Sequence, residues 1–237
     1  MRTLAAHQTY FFPYIGYFTV LNRADIMVHV DSFQYVKQSW MNRNRIIGES
    51  GEVIYINVPI KKCSRETPTN EALISYETAW DQVILKHLGY YRKRAPYFNE
   101  VKEMLEELFS VKHETIADLS MASCDCVLNR LGITKEIYKV SDLDIPPVGS
   151  IESDEWGYTI SLLFDDVDTY VNAPGGKEFY DTSKYKAKGI DIQFLQNRLK
   201  PYDQKRDDFI PGLSIIDVMM FNSPEEIREM LLDYDVI

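Results

Sequence analysis

His7 and Gln8 stand together at the end of an apolar run. They head the stretch His7-Gln8-Thr9-Tyr10-Phe11-Phe12-Pro13-Tyr14-Ile15-Gly16-Tyr17-Phe18, which puts six aromatic rings into twelve positions. An imidazole titrates close to neutral pH and can serve as a general base. His7 alone reads equally as a satisfied strand-end histidine or a working one. With Gln8 beside it the working reading gains, because two polar groups at one strand end need partners.

A second cluster follows as Asp31-Ser32-Phe33-Gln34-Tyr35-Val36-Lys37 and Trp40-Met41-Asn42-Arg43-Asn44-Arg45. Asp31 can act as a base or accept from sugar hydroxyls. Lys37, Arg43 and Arg45 suit a phosphate or carboxylate, the arginines through two parallel hydrogen bonds. Asn42 and Asn44 suit hydroxyls or a developing oxyanion. A merely solvated charge run seldom needs Tyr35 and Trp40 interleaved with it, so this cluster is expected to bind a polar ligand. Later in the chain, Gly175-Gly176 follows an apolar run and precedes Tyr180 and a helical pattern. Such a turn can aim backbone amides at an anion, although a tight turn alone also explains it. Gln204 is a further expected ligand contact. His7, Asp25, His29, Asp31 and His87 contain neither an HExxH nor a close His-x-His pair, so no metal is expected.

These residues need elements to hold them. Thr3–Ala6 reads as a short strand ending at His7, the stretch from Tyr14 to Arg23 as a helix, and Ile26–Val30 as a buried parallel strand. Val53 to Ile60 reads as a strand, and a loop rich in Lys, Ser, Thr and Pro runs on to Asn70. Helical patterns begin at Trp80, Val101 and Ile116, the last ending at Gly132. Strands near 137–140, 169–172 and 190–195 then alternate with helices near 156–164, 179–188, 214–221 and 224–234. This alternation predicts an α/β fold: a mostly parallel, Rossmann-like sheet flanked by helices, with a helical middle segment. One domain over 1–237 is expected, with residues 78–132 as a candidate helical subdomain. Ligands of such sheets sit outside the carboxyl ends of the strands, where both His7 and Asp31 fall.

Composition narrows the partners. The 26 Lys and Arg against 36 Asp and Glu leave a net charge of −10, which repels a phosphate backbone and argues against nucleic acid. A small anionic ligand is still compatible with a local basic cluster. Cys63, Cys124 and Cys126 form neither a disulfide framework nor a zinc pattern, and are read as small buried hydrophobes in a reducing compartment. With no secretory signal and no bilayer-length apolar run, a cytoplasmic location is expected.

Taken together, His7-Gln8…Tyr10…Pro13…Gly16-Tyr17, Ala24-Asp25, Asp31…Gln34-Tyr35…Lys37 and Trp40…Asn42-Arg43-Asn44 resemble the WbqC-like proteins. Gly175-Gly176…Tyr180-Asp181, Tyr202…Gln204 and Phe209…Pro211…Leu213-Ser214…Asp217 extend the likeness over nearly the whole chain. Thr9 departs from the family's usual Pro, and a Lys common after the Gly-Tyr pair is absent near Thr19-Val20. The resemblance implies a bacterial protein of surface-polysaccharide (O-antigen) synthesis that adds a glycyl or other acyl group to an amino sugar on a nucleotide or lipid carrier. His7 would then be the first candidate base and Asp31 the second, or the group that orients it. The cofactor is open between ATP and an activated acyl donor. The alternatives are a non-catalytic sugar-nucleotide-binding protein and an ATP-dependent amide ligase. A weaker likeness to nucleotidylyltransferases and pantothenate synthetase bears on the fold, since their His-x-Gly-His motif is missing.

Overall fold

The computed structural model describes residues 2–147 and 149–237. It opens as expected, with β1 (Arg2–Gln8), α1 (Ile15–Arg23) and β2 (Ile26–Val30). An antiparallel hairpin follows, β3 (Arg43–Ile47) and β4 (Val53–Asn57). Next come α2 (Trp80–His87), α3 (Phe98–Ser110), α4 (Ile116–Leu131) and β5 (Glu136–Lys139). The remainder is α5 (Trp156–Ser161), β6 (Val167–Asn172), α6 (Thr182–Ala187), β7 (Asp191–Asn197), α7 (Ile215–Phe221), α8 (Pro224–Leu232) and β8 (Tyr234–Val236).

The main sheet runs β5-β2-β1-β6-β7-β8, parallel except for the final β7–β8 pair. Alternation along the strands feeds two apolar layers. Leu4, Ile26, Val28 and Tyr170 pack with Trp156, Ile160 and Tyr185 on one face. Ala5, Met27, Val171 and Leu195 face the larger core, shared with α1, α3, α4, α7, α8 and the β3–β4 hairpin. The fold is therefore α/β and Rossmann-like, and the order reverses direction between β1 and β6, which makes that crevice the switch point. Among the described residues no helix is long and apolar enough to cross a membrane.

Two strands differ from expectation. Arg43–Ile47 is a strand inside the polar segment, where its arginines alternate with Asn44 and Ile46, so that only one side is apolar. Tyr234, expected to close the last helix, instead opens the strand Tyr234–Val236, which pairs with Leu195–Asn197 at the sheet edge.

The loop after β1 has a strained backbone. Phe12 is fully buried with φ 42, a left-handed conformation that costs a bulky side chain about 1–3 kcal/mol. Surrounding groups hold it there. Asn44 Nδ2 donates to the carbonyls of Phe11 (3.1 Å) and Phe12 (2.6 Å). Ser214 Oγ, the N-cap of α7, donates to Phe12 O at 2.8 Å, and Ser123 Oγ of α4 accepts from Phe12 N. Ile215 N donates to Pro13 O, and Phe11 N to Trp40 O. Replacing Asn44 by Ala leaves the Phe11 carbonyl without its donor and the Phe12 carbonyl with Ser214 alone, in a strained loop. Asn44→Ala is expected to cost about 3 kcal/mol in urea unfolding, and to lower Tm by roughly 6–12 °C.

Candidate functional site

At the carboxyl end of β1, His7 and Gln8 begin toward opposite faces of the sheet, so they do not act as one pair. His7 follows Ala5 into the larger core, edge-on to Tyr17 at 5.4 Å between ring centres. Gln8 follows Leu4 and Ala6, and its Oε1 accepts from Tyr10 OH at 3.0 Å. His29, which sequence reasoning set aside, is the registered neighbour of His7 on β2. It is 2% exposed. Both its ring nitrogens, His7 Nε2 and Thr9 Oγ1 are buried without a hydrogen-bond partner among the described residues.

The large cavity lies beside the hairpin and measures about 1020 Å³. Its walls are two loops laced together by backbone hydrogen bonds, Tyr35 N to Thr67 O and Thr69 N to Phe33 O, and by the Gln34–Pro68 bridge. Five cations line it: Lys37, Arg43, Lys61, Lys62 and Arg65. None of its lining side chains among the described residues is acidic, and none of the five forms an ion pair there. Gln34, Tyr35 and Asn42 share the lining, with Tyr55, Asn57 and Cys63. Burial, with a smaller contribution from Cys63, pushes the Tyr35 phenol up to about 12. Cys63 is exposed and free, which corrects its reading as a buried hydrophobe; Cys124 does fit, its thiol pushed up by burial. Sequence reasoning read Lys61, Lys62 and Arg65 as plain loop. The run Lys61-Lys62-Cys63-Ser64-Arg65, in so acidic a chain, was the available signal.

A smaller cleft of about 210 Å³ is lined by Tyr10, Pro13, Tyr14, Trp40, Asn44 and Gly212. Tyr14 and Trp40 are each about two-fifths exposed there. The open side of Gly16 is filled by the Tyr14 ring, 2.3 Å from where a Cβ would stand. Arginines join the two cavities. Arg43 lies over the Tyr55 ring at 4.4 Å. Arg45, two positions on and hence on the same side of the strand, stands 5.6 Å from the Trp40 ring and donates to Gly212 O. The Nε of each guanidinium is buried without a partner among the described residues.

Other expected site residues are bonded elsewhere. The Asp31 carboxylate accepts from Ser141 N (3.0 Å) and Ser141 Oγ (2.6 Å), tying β2 to the turn after β5, with no contact to His7. Asn42 spends its Nδ2 on Asn57 Oδ1 and Val58 O, and Asn44 spends its own on the loop carbonyls. Neither amide N–H is free for an oxyanion, which corrects that expectation. Gly175-Gly176 does reach the switch-point edge after β6, but as a 3-10 turn whose amides close on it: Gly176 N on Ala173 O and Lys177 N on Pro174 O. Tyr180 packs among Tyr170, Tyr185 and Phe194. Gln204 is buried and holds Asp217, donating at 2.9 Å. Among the described residues no three His, Cys, Asp or Glu side chains gather as a metal site.

Three buried groups tilt stability with pH, the two histidines in one direction and Asp217 in the other. Burial holds His29 at about 4, and burial plus the neighbouring His29 holds His7 at about 4, so both rings are neutral at pH 7. Their folded pKa lies below the unfolded value of 6.5, so this stability is full above pH 6.5 and is lost as pH falls toward 4. Burial raises Asp217 from 3.8 to about 7 against the hydrogen bonds of Gln204, Tyr202 and Tyr91. Its folded pKa is raised, so its share is full below 3.8 and is lost as pH rises toward 7. In urea unfolding across pH 4 to 8, His29→Leu is expected to flatten the acid-side loss. Asp217→Asn is expected to remove the opposite slope. An unchanged profile in either variant contradicts the assignment for that group.

Comparison with known proteins places this geometry in a lineage. A curated relative, the uncharacterized protein Rv1507c of Mycobacterium tuberculosis (strain ATCC 25618 / H37Rv), is 25% identical over 235 residues, covering 98% of each chain. No solved structure matches the chain. The model of the WbqC-like protein family matches residues 8–229, nearly the full length, and the chain belongs to that family.

Proposed function

We propose that the chain forms an amide on an amino sugar carried by a nucleotide or lipid diphosphate, transferring an acyl or aminoacyl group such as glycyl during bacterial surface-polysaccharide synthesis. One observation carries this reading: five cations and no carboxylate line a cavity of about 1020 Å³ in a chain of net charge −10. Unpaired cations in a concave site attract a ligand that brings its own negative charge. Lys37 and Arg43 are the groups expected to hold a diphosphate, and Lys61, Lys62 and Arg65 join them. In the reaction the sugar ammonium gives a proton to a base, and its nitrogen attacks the carbonyl carbon of an activated acyl donor. The C–N bond forms, the bond to the leaving group breaks, and the leaving group departs with the electron pair and takes up the second proton of the nitrogen. His7, neutral at pH 7, is the candidate base, and a phosphate bound nearby would raise its basicity.

A second reading, a non-catalytic binding protein, is favoured by a specific observation. His7 is held at about 4, which makes it a weak base, and the Asp31 carboxylate is engaged by Ser141.

Incubation with nucleotide-linked amino sugars, ATP and amino acids, read by mass spectrometry, separates the two. A mass gain on the sugar supports the enzyme, and a strict ATP requirement selects a ligase. Clear binding with no new mass sinks the enzyme reading. His7→Ala is expected to abolish turnover while sparing binding. Charge reversal at Lys61 and Lys62 to Glu is expected to weaken binding of the nucleotide diphosphate by more than about tenfold in calorimetry, with Tm unchanged.

A further inference from the structure

The two cavities are neighbours with different chemistry, and their seam has an unmet need. Arg43 belongs to the cationic cavity, while Arg45 touches Trp40 and Gly212 of the aromatic cleft. Each presents a buried Nε–H with no acceptor among the described residues. Buried donors of this kind are matched in working sites by an acceptor from the ligand. An anion held at the seam would have one of its substituents in each cavity.

We infer that the ligand binds in one direction: the pyranose of the amino sugar stacks in the cleft on Trp40, its diphosphate lies at Arg43 and Arg45, and the rest of the carrier lies in the cationic cavity. This rests on the diphosphate reading above and adds its orientation. Size is the first reason. The cleft, at about 210 Å³, lies below the roughly 300 Å³ where sites for whole drug-sized ligands begin, so it holds one ring. The cavity of about 1020 Å³ takes the larger portion.

Polarity is the second reason, and it tells a sugar from a nucleobase. The inner hydrogen-bonding groups of the cleft are already engaged, the Asn44 Nδ2 with the carbonyls of Phe11 and Phe12, and Tyr10 OH with Gln8, which leaves the part-exposed Tyr14 hydroxyl and Trp40 indole N–H. A nucleobase edge buried against the inner wall would lack partners. A pyranose lays its C–H face on the indole and keeps its hydroxyls at the open rim. The cationic cavity, by contrast, offers Gln38, the Gln34 Oε1 and the Asn57 Nδ2 to a base and the exposed Tyr55 to stack on it. Position is the third. From the cleft, Tyr10 leads to Gln8 through its hydroxyl, and its ring is 6.0 Å from that of Tyr17, which meets His7. The sugar amine would thus lie on the side of the candidate base.

Tryptophan fluorescence reads the orientation directly. Of the three tryptophans, Trp80 and Trp156 are 6% and 8% exposed, and Trp40 is 42% exposed. Acrylamide quenching therefore reports on the cleft. Matched pairs of nucleotide diphosphate and nucleotide-hexosamine are tested for uridine, thymidine and guanosine, with binding measured in parallel by calorimetry. The nucleotide-hexosamine is expected to shield Trp40, and the nucleotide alone to bind without shielding it. Trp40→Ala, which keeps the main-chain carbonyl that Phe11 N uses, is expected to weaken the hexosamine conjugate about fivefold and the nucleotide alone not at all. Equal shielding by the nucleotide alone places the base in the cleft and overturns the orientation. So does a bound conjugate that leaves Trp40 exposed. Failure of both partners of every pair, and of a prenyl-diphosphate hexosamine, to bind refutes the diphosphate reading itself, a result distinct from either.

Discussion

One amide side chain holds the two halves of this molecule in register. Asn44 belongs to a hairpin that lies outside the main sheet, yet its Nδ2 grips two consecutive carbonyls of the loop leaving β1. That loop is in an unfavourable left-handed turn at Phe12, and the same carbonyl is the target of the α7 cap, Ser214. Sheet, hairpin and C-terminal helices therefore meet at one peptide. The aromatic cleft is the outer surface of this junction: Tyr10, Pro13 and Tyr14 come from the loop, Trp40 and Asn44 from the hairpin side, Gly212 from the approach to α7. A single buried donor with two acceptors is a stringent geometric demand, and the cleft inherits its shape from it.

Electrostatics divides the surface in a way the average hides. A chain of net charge −10 nonetheless gathers five cations, with no acidic side chain among the described lining residues, around one cavity, where the local field is positive. Desolvation acts oppositely inside. It keeps His7 and His29 neutral and makes Asp217 hard to ionise, so the interior avoids charge while the cavity concentrates it.

Much of the fold was legible because hydrophobic period and strand-end punctuation are local. The β1–α1–β2 opening, the capped end of α4 at Gly132 and the Ser223-Pro224 start of α8 all followed from residues within one turn. Arg43–Ile47 escaped because its outward face is charged and ends at a cavity, so it shows little of the apolar density that marks a strand. The site was half legible. Lys37, Arg43, Tyr35, Gln34 and Asn42 do share one cavity, while Arg45, Trp40, Asn44 and Tyr10 share or border the other. Residue type could not say where each polar atom was already committed. Asp31, Asn42, Asn44 and Gln204 have the chemistry of ligand contacts, and pairing across 13 to 110 positions in sequence is what occupies them. The same distance dependence hid Lys61, Lys62 and Arg65, which matter only because Tyr35 N finds Thr67 O and folds their loop back over the hairpin.

That loop has a consequence for how such a protein can change. Four of the five cations, all but Arg43, come from connecting segments laced to one another by main-chain atoms that any residue supplies, whereas the cleft is bound to a strained peptide with a fixed donor. Side chains of the wall can vary without disturbing that lacing. The junction at Phe12 tolerates almost no drift. Substitution is thus channelled: the charged lining of the cavity is free to change, while the shape of the cleft is tied to the fold.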